Sequence, residues 1–119
     1  MIRIEDLVGR YSIMGSNQDA EKNSYKGYLT LSLDENKRIN AFWEIGNQQQ
    51  FGNGFFKDNL LIINFSYNGE DSRTYKGVVA YKCLTANLLE GFWSEKHGDP
   101  KFLGEERCFK ILEETNKTN

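Results

Sequence analysis

The sequence predicts an all-β domain, an eight-stranded antiparallel up-and-down meander barrel with an internal two-fold repeat and a short N-terminal helical turn. Three observations lead there. From Gly9 onward the apolar residues recur with period two, the signature of half-buried strands. Short turns separate these runs and no crossover-helix pattern intervenes, so consecutive strands are antiparallel neighbours. The chain also matches itself when shifted by fifty positions: Phe42-Trp43 falls on Phe92-Trp93, Tyr25-Lys26-Gly27 on Tyr75-Lys76-Gly77, and Gly54 on Gly104. A β-sandwich is the competing architecture. Closure into a barrel is favoured because it removes the two exposed edges of a meander.

Taken in order, Ile2 to Val8 reads as a helical turn with Ile4, Leu7 and Val8 on one side, placed to plug one end. Arg10 to Met14 is the first strand, and Tyr28 to Leu33 alternates cleanly after the polar loop Ser16 to Ser24. Ile39 to Ile45, Phe51 to Phe56 and Leu60 to Phe65 follow, divided by turns at Gly46-Asn47 and Lys57-Asp58-Asn59. Tyr75 to Cys83, Leu88 to Ser94 and Phe102 to Leu112 complete the set. The whole is one domain over residues 1–112, with repeat halves near 9–57 and 59–112 and a polar, fraying tail at 113–119.

Composition fits one soluble domain. At 119 residues the chain can bury a core without disulfides or metals. Eleven glycines, one proline and 13% aromatics favour strands joined by tight turns. A net charge of −2 gives no reason to expect nucleic acid or an anionic membrane as a partner. No apolar run approaches the roughly 18 residues of a membrane span, and the polar start is not a secretory signal. Cys83 and Cys108 fall on strands with one between them, too far apart for a disulfide. Free thiols point to the cytoplasm, with export of a mature fragment left open.

With odd positions inward throughout, the lining comprises large residues from Tyr11 and Ile13 through Leu29, Leu31, Ile39, Trp43, Leu61 and Ile63 to Leu103, Phe109 and Ile111. It also includes Phe51, Phe55, Val79, Tyr81 and Trp93, and the polar residues Tyr25, Asn53, Tyr75, Glu105 and Arg107. Glu105 and Arg107 share a face and form either a barrel-closing pair or a ligand anchor. On the outer face, Phe42 is expected to shield Gly52 or Gly54, and Phe92 to shield Gly104. Phe56, Leu60, Ile62 and Val78 make an outer apolar strip suited to a homodimer or a protein partner.

Catalytic signals are sparse. His97 is a lone loop histidine, no Cys/His spacing suits zinc, and no glycine-rich phosphate loop precedes a helix. Glu44, Glu90 and Glu106 read as outward, leaving only Glu95 and Glu105 to converge from neighbouring strands. No cofactor is expected.

A short N-terminal turn, Gly9-Arg10-Tyr11 opening the first strand, and a meander ending in an inward Arg107 resemble the calycin group of lipocalins and avidins. Lipocalins open with Gly-x-Trp and lay a basic residue from the last strand across that ring. The resemblance implies that Tyr11 and Arg107 take those roles and that the barrel interior holds a ligand. None of avidin's biotin-contacting residues has a match. The expectation is a non-catalytic barrel for a small, partly apolar ligand, with Trp43, Phe51, Tyr81 and Trp93 as walls and Asn53, Glu105 and Arg107 as anchors. The alternative is an inhibitor- or immunity-type interaction module acting through Phe56, Leu60, Ile62 and Val78.

Overall fold

The computed structural model describes residues 1–112, so the tail expected at 113–119 lies outside the described residues. A 3₁₀ turn at Ile4–Leu7 precedes eight strands: β1 (Gly9–Ser16), β2 (Ser24–Leu33), β3 (Ile39–Ile45), β4 (Gln48–Lys57), β5 (Leu60–Asn68), β6 (Thr74–Thr85), β7 (Leu88–Glu95) and β8 (Gly104–Lys110). Each pairs antiparallel with the next, and β8 returns to pair with β1, so the sheet is a closed up-and-down barrel.

The barrel is filled at one end and hollow at the other. Leu7, Tyr11, Leu31, Ile39, Leu61 and Leu89 are fully buried at the end covered by the 3₁₀ turn. Tyr11 fixes that turn, donating its hydroxyl to the Leu7 carbonyl at 2.8 Å and lying 3.0 Å from the Ala86 carbonyl. Lys110 closes the same end. Its ammonium donates to the Asp6 carbonyl at 2.6 Å and lies 5.6 Å from the centre of the Tyr11 ring. The basic residue of the last strand over the opening aromatic ring is therefore Lys110. Arg107 points outward and pairs with Glu90 at 2.9 Å.

Interior phase is where the odd-inward expectation fails, on two strands. A two-residue turn joins positions of opposite parity. Gly46-Asn47 pairs Ile45 with Gln48, so β4 turns its even positions inward. Phe51 and Phe55 are consequently 56% and 61% exposed, and Asn53 is exposed between them. The turn at Asp58-Asn59 pairs Lys57 with Leu60 and restores odd positions to the interior of β5. A bulge between Cys83 and Thr85 cancels the next inversion. Across the long β7–β8 connection Trp93 pairs with Gly104, so β8 also faces inward with its even positions. Glu105, Arg107 and Phe109 lie outside, while Gly104, Glu106 and Cys108 are buried. Leu103 and Ile111 lie beyond the ends of β8 and are exposed.

The same inversion reassigns the glycines. Phe42 packs against Phe51 in a tilted pair with ring centres 5.1 Å apart, and Phe92 stands opposite Glu105. Gly52, Gly54 and Gly104 face inward, and an indole lies over the space left at Gly52 and at Gly104. A Cβ on Gly52 would come within 3.1 Å of the Trp43 ring, and one on Gly104 would collide with Trp93. Among the described residues no helix is long and apolar enough to cross a membrane.

Candidate functional site

At the hollow end a cavity of about 330 Å³ opens between the β1–β2, β3–β4, β5–β6 and β7–β8 connections. Its deep wall is Trp43, Phe65, Val79, Tyr81 and Trp93, and its rim includes Asn17, Ile45, Gln48, Gln50, Tyr67 and Glu95. The size is at the lower end of the range for small-molecule sites, ~300–1,000 Å³. Gln18 clasps the rim. Its amide nitrogen donates to Ser94 Oγ at 3.0 Å and to the Asp99 carbonyl at 3.1 Å, and its oxygen accepts from the Glu95 backbone N–H at 2.9 Å.

The deep wall presents aromatic surfaces in near-perpendicular succession. Trp43 and Phe65 are 6.0 Å apart and inclined by 67°, and Phe65 and Trp93 are 6.2 Å apart and inclined by 83°. Trp43 and Trp93 come from β3 and β7.

At the floor is Glu106, 5% exposed. Two chains of donors converge on it. Trp43 Nε1 donates to the Tyr81 hydroxyl at 3.2 Å, and that hydroxyl donates to Glu106 Oε1. Trp93 Nε1 donates to the Tyr25 hydroxyl at 2.9 Å, and Tyr25 donates to Glu106 Oε2 at 2.6 Å. Each indole N–H takes an oxygen lone pair on its tyrosine, which leaves the hydroxyl proton directed at the carboxylate. Cys108 Sγ, 3.9 Å from Oε1, adds a weak donor.

Burial dominates the electrostatics. It holds Glu106 above the ordinary carboxylate range, with the tyrosine donors pulling part of the way back. Burial first, and the neighbouring carboxylate second, hold Tyr25 far above the usual phenol range, so it stays a donor. Tyr81 is held well above that range by burial, with Cys108 and Glu106 adding to the effect. At the rim Tyr67 donates to Glu95, and burial followed by that hydrogen bond raises Tyr67.

Of the residues expected to line a site, Trp43, Tyr81 and Trp93 border the cavity. Phe51, Asn53, Glu105 and Arg107 stand on the outer surface, displaced by the phase inversions of β4 and β8. Glu106, expected outside, is the floor. Counting charges does not separate the two phases of β8: the odd one turns Glu105 and Arg107 inward, the even one Glu106 and Lys110. In the fifty-residue alignment Glu106 falls on Phe56, which the structure shows packed against the core. Phe56 therefore leaves the expected outer strip. Leu60 and Val78 remain exposed, and Ile62 is half-buried. His97 is exposed in the β7–β8 loop.

No protein-family model matches the sequence, and no curated protein matches it. Among solved structures, the fold is similar to a crystal structure of a protein of unknown function from the DUF3598 family of Nostoc punctiforme. The TM-score is 0.58 at 11% identity, over 93% of this chain and 50% of that one. This chain thus spans half the length of the protein it matches, and the likeness is one of fold.

Proposed function

We propose that this protein is a non-catalytic barrel that binds a small, partly apolar molecule in the cavity above Glu106. The observation that carries this reading is a hollow half-barrel with aromatic walls over a buried, hydrogen-bonded carboxylate. A core built for stability alone would fill that volume, because apolar packing contributes more than a buried acid whose charge is unbalanced. Perturbed acids in clefts concentrate at functional sites for this reason. The donor chains orient Glu106 and saturate part of its acceptor capacity, which suits a fixed recognition element. Two buried free thiols support a reducing compartment such as the cytoplasm.

A fragment library screened by NMR tests the reading, with the indole N–H signals of Trp43 and Trp93 as reporters. Fragments that enter the cavity will shift both signals together. If no fragment moves them, and native mass spectrometry of protein from its source cells finds only the bare chain, the reading fails.

A second reading rests on the outer face. Phe55, Ile62, Ala80 and Phe92 form a cross-strand row from β4 to β7. Phe55 and Phe92 are 61% and 53% exposed. A homodimer or protein partner would cover such a row. Sizing chromatography with light scattering addresses the dimer directly, and a strict monomer over a wide concentration range counts against it.

A further inference from the structure

We infer that the cavity selects organic cations, namely an ammonium group, primary or quaternary, on a small apolar body. This rests on the ligand-binding reading above and adds the chemical class of the ligand. The charge inventory is one-sided. Glu106 forms the floor and Glu95 stands at the rim, and among the described residues no lysine, arginine or histidine lines the cavity. Among the described residues Glu106 has no charge-bearing partner either: its close donors are the neutral hydroxyls of Tyr25 and Tyr81. Neutral donors orient a carboxylate but do not balance its charge, and the cost of that charge in a buried site favours the protonated acid while the cavity is empty. A cation seated above Glu106 removes that cost. An ionised carboxylate offers about four acceptor positions, and the two tyrosines leave room for a further donor.

The walls point the same way. Phe65 stands between Trp43 and Trp93 in the cavity wall, inclined by 67° to the first and 83° to the second. Cations are attracted to aromatic faces, most strongly to tryptophan. Both indoles are anchored through Nε1 to the tyrosines of the floor. The walls are therefore fixed before a ligand arrives, and little conformational freedom remains to be lost on binding. An anion would meet two carboxylates. A neutral ligand of the same shape would gain packing but no charge compensation.

The test compares choline with its uncharged carbon isostere, 3,3-dimethyl-1-butanol, by titration of the intact protein with indole fluorescence and NMR readouts. The expected result is that choline binds at least about tenfold more tightly, equivalent to ~1.4 kcal/mol. Glu106→Gln and Glu95→Gln each reduce this preference, and Glu105→Gln on the outer face leaves it unchanged. The wild-type comparison needs no variant, so the proposal is testable even if Glu106→Gln folds poorly. Equal binding of the two probes, binding of neutral fragments alone, or a preference that survives Glu95→Gln and Glu106→Gln together overturns the cation inference and leaves the ligand-binding reading standing. Absence of binding by choline, the isostere and the neutral fragment library overturns both.

Discussion

The indole of Trp93 occupies the space that a side chain at Gly104 would fill, directly across the β7–β8 ladder. This places Nε1 of Trp93 within 2.9 Å of the Tyr25 hydroxyl and so couples the wall of the cavity to its floor. Gly104→Ala is therefore expected to push the ring aside and destabilise the protein by ~1–3 kcal/mol, the usual cost of overpacking. Urea unfolding gives the loss, and the Trp93 indole signal reports the displaced ring. An unchanged midpoint and an unchanged signal would contradict the assignment of this glycine.

Tyr81 and Tyr25 both border the cavity, but Tyr81, which holds Trp43 Nε1 and Glu106, is fully buried, whereas Tyr25 is only partly buried. Tyr81→Phe leaves a buried donor and a buried acceptor unpaired, at ~1–3 kcal/mol for each group. Tyr25→Phe is expected to cost less, because cavity water can take over its bonds. Denaturation midpoints should rank wild type above Tyr25→Phe and Tyr25→Phe above Tyr81→Phe. The reverse order of the two variants would refute this division of the floor.

Glu106 makes stability depend on pH with a definite sign. Burial raises its folded-state value, so over a window above the ordinary carboxylate range the folded protein keeps a proton that the unfolded chain has lost. The associated stability is intact below that range and is lost as pH rises through the folded value. The groups facing Glu106 are Tyr25, Tyr81 and Cys108, all held protonated by burial at these pH values. Wild type should therefore lose stability relative to Glu106→Gln as pH increases, by at most ~1.4 kcal/mol per unit. Other acids cancel in the difference. Parallel stability–pH curves would show that Glu106 titrates as an ordinary carboxyl.

Two basic residues of β8 should behave differently. Lys110→Met removes the bond to the Asp6 carbonyl and the charge near the Tyr11 ring, at a cost of ~1–2 kcal/mol. Hydrogen exchange should quicken in the 3₁₀ turn first. Arg107→Ala breaks an exposed pair with Glu90 and should change stability by less than ~1 kcal/mol. A larger effect from Arg107 than from Lys110 would reverse these roles.

Much of this architecture is legible in the amino-acid order. Alternation along β2 identifies Leu29 and Leu31 as core, and the repeated Phe-Trp pairs place Trp43 and Trp93 on equivalent strands of the two halves. Both tryptophans face the interior because β3 and β7 keep the odd phase. The polar end of the cavity is less accessible to such reading. Glu106 sits between Glu105 and Arg107, three charged residues in a row, and alternation alone does not say which of them faces inward.

The sequence by itself determined the eight strands and their antiparallel order, and it favoured closure of the sheet over a sandwich. Those follow from local period, turn chemistry and the cost of exposed edges, all properties of short stretches of chain. The tertiary structure decided the phase of β4 and β8. Each follows from register: the two-residue turn at Gly46-Asn47 for β4, and for β8 the pairing of Trp93 with Gly104 across a long connection. Because side chains alternate with period two, a shift of one position exchanges the whole interior set for the exterior one. That single step turned Phe51, Asn53, Glu105 and Arg107 outward and brought Glu106 to the floor of the cavity.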